Sequence, residues 1–316
     1  MALLITTTTL AALNVATKSN FEEGLAKAKA MAVAPRIATM EATTTRKTKF
    51  PLAVDSAQIR EHIGPRHVNV VKASDQDLEV LPYELTYGVD RDDLEDEDQG
   101  PTSVKLLAKT IRAAGRKYAL MPDRLLYTVI NSNATSVYDG RSLFGTHYQD
   151  PTDSSSTSWS NAKTSRALTP ENLASTIADQ AKLLSPDGDP INPAQRFVLM
   201  VPWALHQTAL ECTRAQMIPN SAGTASRTNV IPQAYNIEVV PWARLDAASA
   251  TTWYLLDVSD PSDQGLIVLE RKAPEIIEQF SPSDDRAIEF NQFTWTSRAR
   301  MQAGGGNPAR IFRCVA

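Results

Sequence analysis

The side chains best suited to metal binding or nucleophilic chemistry are four histidines, His62, His67, His147 and His206, and two cysteines, Cys212 and Cys314. No histidine sits in a Cys/His set with zinc-type spacing. His206 and Cys212 share an expected helix, but six residues of separation put them on different faces. There is no GxSxG nucleophile elbow, no phosphate-binding loop and no GxGxxG fingerprint. Gly304-Gly305-Gly306 has no following Lys-Ser/Thr and reads as a tight turn. Carboxylates are plentiful, yet nothing marks one pair as an acid and base working together. The expectation is therefore no catalytic residue, no cofactor-binding residue, no metal ligand and no cofactor. The histidines read as packing or surface residues.

Charge is concentrated in two places. Residues 90–98 (DRDDLEDED) form a dense acidic run. It does not fit a calcium loop, because the bidentate Glu is missing at the required place. Lys105, Lys109, Arg112 and Arg116 form a basic stripe. The acidic run has two compatible readings. Its charge is favoured by the positive end of the following helix, or it contacts a basic stripe on a neighbouring subunit.

The elements that carry these groups follow from periodicity. Gly100-Pro101-Thr102 opens a long helix, with Pro suited to its first turn. Val104, Leu107, Ile111, Ala114, Tyr118 and Met121 recur at steps of three and four, one continuous apolar seam. Pro122 ends or kinks that helix, and a second helical piece covers 123–131. Residues 8–33 are rich in Ala, Leu, Lys and Glu and read as a helix without a wide apolar stripe. Such a helix needs a partner surface.

Residues 34–49 read as an extended, Thr-rich basic arm. Residues 50–90 carry strand-like pieces at 68–72 and 78–87, too poor in large apolar residues to bury themselves. Residues 150–165 are a polar low-complexity loop. A helix is expected from Thr169 to Leu184, a buried strand at 196–201 and a helix at 202–217. Short strands are expected at 237–240, 253–258 and 266–269, a long one at 287–302 and a last one at 311–315. The fold class is α+β, with long excursions from the core.

Composition narrows the function. The 316 residues are 42% hydrophobic and 22% charged, with a net charge of -4. That length supports one large or two modest domains. No basic tail exists to condense nucleic acid. Two distant cysteines do not make a secreted disulfide framework and read as reduced thiols. No stretch reaches the length of a membrane span. Met1–Ile5 is apolar, but it lacks a basic flank and is interrupted by Thr6–Thr9, so it does not read as a signal peptide.

Three blocks resemble the major head subunit of Mu-like phages and prophages, the gpT family. Gly88-Val89-Asp90-Arg91-Asp92-Asp93-Leu94-Glu95-Asp96 is similar to that family's "sRDDfEDD" stretch. Pro122-Asp123-Arg124-Leu125-Leu126 is similar to its "QPDELIF" stretch, and Tyr138-Asp139-Gly140-Arg141-Ser142-Leu143-Phe144 with His147 to "yDGqnfF..eH". Their order and spacing match. Phe21-Glu22-Glu23-Gly24-Leu25 and Lys49-Phe50-Pro51 resemble its N-terminal landmarks. Phe197–Ala209, Trp253–Asp257 and Phe293–Gln302 resemble units common in tailed-phage capsid proteins more loosely.

The resemblance implies the tailed-phage capsid fold of the Hong Kong 97 type. It would divide the chain into an N-terminal arm (1–49), an extended loop (50–98), a peripheral domain with a spine helix (99–165), an axial domain (166–274) and peripheral return strands (275–316). It implies a major capsid protein whose partners are further copies of itself, in hexamers and pentamers of an icosahedral head. Scaffolding and portal proteins, a cement or decoration protein and non-specifically contacted double-stranded DNA would be further partners, with no membrane. The location would be the virion capsid, assembled in the bacterial host cytoplasm. Lys72 is the only lysine between 50 and 104 and has no motif for a covalent Lys–Asn cross-link, so non-covalent assembly is expected. The alternatives are an encapsulin-type cargo shell and a soluble enzyme or binding domain.

Overall fold

The computed structural model describes residues 7–52, 61, 72–95, 100–186, 188–191, 196–219, 226–279 and 288–316. The expected strand piece at 68–72 lies almost wholly outside them, as do His62, His67 and the end of the acidic run.

In chain order, α1 (Thr7–Lys29) and the short α2 (Ala34–Ile37) lead into β1 (Thr39–Ala42), β2 (Lys47–Leu52), β3 (Lys72–Glu79) and β4 (Leu81–Asp90). Next come α3 (Arg91–Glu95), α4 (Gly100–Ala119) and α5 (Met121–Asn131), then the short β5 (Thr146–Tyr148), β6 (Ser158–Ser160) and β7 (Ala162–Lys163). The middle of the chain holds α6 (Pro170–Ala181), β8 (Arg196–Val201), α7 (His206–Arg214), β9 (Met217–Pro219), β10 (Ser226–Thr228), α8 (Ile231–Ala234), β11 (Asn236–Pro241) and α9 (Ala243–Asp246). The chain closes with β12 (Trp253–Asp257), β13 (Leu266–Gln279), β14 (Gln292–Gly305) and β15 (Ile311–Cys314).

Two sheets organise the molecule. One has the order β1-β13-β14-β4, the other β11-β8-β12-β15-β7. In the second, β8 is buried from Phe197 to Val201 because both its faces are covered. Val198 and Met200 join one core with Leu126, Ile130, Leu143 and Phe144. Phe197, Leu199 and Val201 join another with Leu173, Ile177 and Ala209. This two-sided burial explains a continuous apolar run where a half-exposed strand would alternate.

The long helix is where periodicity placed it. Leu107, Ile111, Ala114 and Tyr118 are buried against Phe293, Trp295, Ala299 and Met301, alternate residues of β14. The Tyr118 hydroxyl donates to the Ser297 carbonyl at 2.8 Å. The break at Pro122 is a true boundary, with α4 ending at Ala119 and Pro122 in the first turn of α5. Thr169 caps α6 by accepting from the Asn172 N–H at 3.2 Å.

The partner surface that α1 needs is α4 of the same chain. Phe21 is buried and meets Tyr118 edge to face, ring centroids 6.0 Å apart. A Cβ on Gly24 would lie 2.1 Å from the Arg112 carbonyl oxygen, and one on Gly115 2.2 Å from that of Phe21. Glycines thus set the distance between the two helices.

Several expectations are corrected. Residues 34–49 are not simply extended, since α2 is helical and β1 pairs in parallel with β13. β4 is no part of a free loop; it pairs antiparallel with β14 from Leu81 to Asp90. β13 runs to Gln279 rather than stopping near Leu269. Its outer half is charged and contains Pro274, with irregular register between Glu270 and Glu275, where a proline is tolerated.

Gly304-Gly305-Gly306 is not a tight turn. Gly304 and Gly305 finish β14, and a Cβ on Gly306 would meet the Gln264 carbonyl oxygen at 2.2 Å. The helix expected over 202–217 is a 3-10 turn at Trp203–Leu205 followed by the shorter α7. Sheet membership also crosses the boundaries expected at 165 and 274: β7 and β15 both belong to the five-stranded sheet, and residue 274 falls inside β13.

Candidate functional site

The chemistry-bearing residues do not converge. Among the described residues, no group of three or more His, Cys, Asp or Glu is placed to hold a metal ion. Cys212 and Cys314 are buried in the core beneath α6 and α7, and burial pushes both thiols up to about 11. The half-buried His206 stacks edge-on against Trp203, ring centroids 4.9 Å apart. These are packing roles. No described helix is long and apolar enough to cross a membrane.

The three motif blocks do converge, and what they build is a frame. The first block spans the end of β4 and α3. The Asp90 Oδ1 accepts from the Asp92 N–H at 2.9 Å and from the Asn291 amide at 3.2 Å. One carboxylate therefore starts α3 and ties it to the entry of β14.

The second block holds the N-terminal segment. Asp123, only 4% exposed, accepts the Ala34 N–H at 2.7 Å and the Val33 N–H at about 3.0 Å. Those are orphan donors at the start of α2. Burial pushes the Asp123 carboxyl above its ordinary value, while the two backbone N–H groups and the Arg244 charge pull it down.

The third block joins the two sheets. Asp139-Gly140 makes a turn with Gly140 at φ +68°, a conformation that suits glycine. The Asp139 Oδ1 accepts the Arg141 N–H at 3.1 Å, and its Oδ2 lies 2.6 Å from His147 Nδ1. Leu143 and Phe144 insert into the core between the sheets. Ser136 bridges to Gly305, and its hydroxyl donates to the Gly306 carbonyl at 2.6 Å.

The remaining surface is charged and ribbon-like. β2 and β3 form a two-stranded sheet of their own, edged by the ion pairs Arg46–Glu79 and Lys49–Asp77. The basic stripe is partly engaged inside the chain: Arg112 pairs with Glu23 at 2.8 Å and donates to Asn20 at 2.7 Å. Lys105, Lys109 and Arg116 stay exposed. The buried Asp–His pair, the Asp123 anchor and the glycine spacers could not be read from sequence alone. The anchor and the spacers are made by residues far apart in the chain, and the Asp139–His147 pair needs a turn that spacing alone does not show.

Comparison with known proteins agrees with a frame built for assembly. The chain is 22% identical over 305 residues to the major capsid protein of Escherichia phage Mu, covering 96% of this chain and 72% of that one. The procapsid protein of bacteriophage JBD30 superposes with a TM-score of 0.51 at 20% identity, covering 99% of this chain and 76% of that one. The mature capsid protein of bacteriophage PhiM1 superposes at 0.50 with 12% identity, covering 88% and 85%. Both give the α+β tailed-phage capsid fold. The family model described as the Mu-like prophage major head subunit gpT matches residues 10–186 and 236–313, and on that match the chain belongs to this family of major capsid proteins.

Proposed function

We propose that copies of this major capsid protein form hexamers and pentamers, which close into an icosahedral head around double-stranded DNA. The observation that carries this reading is the β2–β3 ribbon. Among the described residues neither strand has a third partner in its own chain. A lone two-stranded ribbon is marginal in water, and its free edges are templates for pairing. A neighbouring copy supplies the cover.

In this reading residues 1–49 serve as the arm and the ribbon as the extended loop. The α4 sheet serves as the peripheral unit, and the five-stranded sheet as the axial unit. Assembly is non-covalent and takes place in the host cytoplasm, with scaffolding and portal proteins as further partners. DNA is held without sequence preference, and the subunit performs no catalysis. A net charge of -4 means that packaging is driven by another component. The test is to sediment particles containing this chain from cells that produce the whole phage and treat them with nuclease. Particles of many copies that shield DNA from digestion are expected. Particles that shield a protein cargo and no DNA would overturn the head assignment.

A further inference from the structure

At the far end of α4 from the acidic run lies a groove of about 480 Å³ between α4, α5, β4 and α9. Its floor includes Tyr83, Leu85 and Met121, and its rim carries three cations, Lys117, Arg124 and Arg244, against one acid, Glu84. All three cations are exposed. None takes part in an ion pair among the described residues. The nearby Asp123 feels the Arg244 charge, but it is buried and held by the Val33 and Ala34 N–H groups, so it offsets at most one of the three cations.

The opposite charge sits on α3, farther along β4. Asp92 and Asp93 on α3 are exposed, and neither takes part in an ion pair among the described residues. α3 follows directly on β4, which pairs with β14 up to Asp90. A second cleft, lined by Val89, Asp93, Leu106 and Thr110, shows that α3 and the end of β4 lie beside the middle of α4. The groove lies beside the start of β4 and the end of α4. Glu84 lines the groove and Asp90 the second cleft, six residues apart on β4, so the two sites are about 20 Å apart. Screening reduces an interaction over that distance to very little, the Debye length being about 10 Å at 0.1 M salt. Among the described residues, the α3 acids do not reach the groove of their own chain.

We infer that the cationic groove of one copy receives the acidic α3 segment, residues 90–95, of a second copy. The partner is a second copy because an acidic surface and a cationic groove of opposite sign lie on the same chain, too far apart to meet within it. Such a contact is heterologous: each copy offers one end and receives the other. Head-to-tail contacts of this kind close into rings. Charge pairing fixes the register and speeds encounter more than it adds affinity. The inference rests on the shell-subunit reading for its biological setting, but the contact itself is testable without a closed shell.

Charge reversal is the first test. Asp92→Lys with Asp93→Lys, and separately Lys117→Glu with Arg124→Glu, should each cut the yield of assemblies at low salt by about tenfold or more. One chain carrying all four changes should regain assembly, because the complementarity is restored with its sign inverted. Circular dichroism checks that each variant is folded. Assembly by both two-site variants at the native level would overturn the inference. So would a four-site chain no better than either. Normal empty shells from Lys117→Glu with Arg124→Glu, with only DNA retention lost, would assign the groove to nucleic acid instead.

Cross-linking is the second test, and it does not require shells. Asp92→Cys with Arg124→Cys in one chain should give a ladder of covalently joined copies under mild oxidation. The native thiols are buried, and the engineered pair is too far apart to close within one chain. A ladder without closed shells would support the contact while contradicting the shell reading. Monomers alone after oxidation would overturn the contact.

Discussion

The Nδ1 atom of His147 and the Oδ2 atom of Asp139 lie 2.6 Å apart, with side chains only 1% and 3% exposed. The two side chains share one hydrogen bond across that distance. His147 also stacks on Trp159, ring centroids 4.9 Å apart. The pair joins the Asp139-Gly140 turn to β5, and so holds Leu143 and Phe144 in the core between the sheets. Removing one partner strands the other in a buried site, at about 1–3 kcal/mol. Asp139→Ala and His147→Ala should each lower the unfolding free energy measured in urea by that amount. The double variant should lose less than the sum, as coupled residues do. Strict additivity would show that the bond carries no coupling.

Gly24 and Gly115 set the separation of α1 and α4. Alanine at a helix interior gains at most about 1 kcal/mol from propensity. Here the added methyl meets backbone oxygens at 2.1 and 2.2 Å, and backbone cannot step aside cheaply. Overpacking of this kind costs about 1–3 kcal/mol, so the loss exceeds the gain. Gly24→Ala and Gly115→Ala should both destabilise the chain and make α1 more susceptible to limited proteolysis. A rise in melting temperature in either variant would show that propensity dominates and the helices are not in close contact.

Asp123 anchors the start of α2. Asp123→Ala leaves the Val33 and Ala34 N–H groups without their acceptor in a buried place. The expected cost is about 2–4 kcal/mol, lowered somewhat because a desolvated charge is removed as well. Hydrogen exchange should accelerate first at residues 33–38. Unchanged protection there would mean that other contacts hold α2.

Much of the fold was legible because burial leaves a periodic trace. The α4 seam shows steps of three and four because one helix face meets β14. β8 shows a continuous run because both its faces are covered. The outer half of β13 left no such trace. It is a charged edge beyond the last β1 partner, Ala42 opposite Glu270, and Pro274 argues against a strand. The glycine run at 304–306 was misleading, because glycine serves a close approach as well as a turn. His147 was legible as part of a motif, but its partner was not, since spacing alone does not show that a turn folds Asp139 back beneath it. The place of β15 depended on pairing with β12, a contact between residues about sixty apart that no local pattern announces.

Cys212 and Cys314 should be inert in the folded chain. Burial raises both thiols to about 11, so at pH 7 the thiolate is on the order of one part in ten thousand. A disulfide-exchange reagent at neutral pH should label neither thiol in the native protein and both after denaturation. Rapid native labelling of Cys314 would show that β15 opens from the five-stranded sheet.

The most direct measurement is electron microscopy of the purified chain at increasing concentration. A capsid subunit with a two-stranded ribbon that pairs with no third strand and with opposite charges on α3 and around the end of α4 should give rings or closed, regular shells built from many copies. Monodisperse single chains at every concentration and salt condition, with the protein folded, would contradict the assignment of this chain as a self-assembling shell subunit.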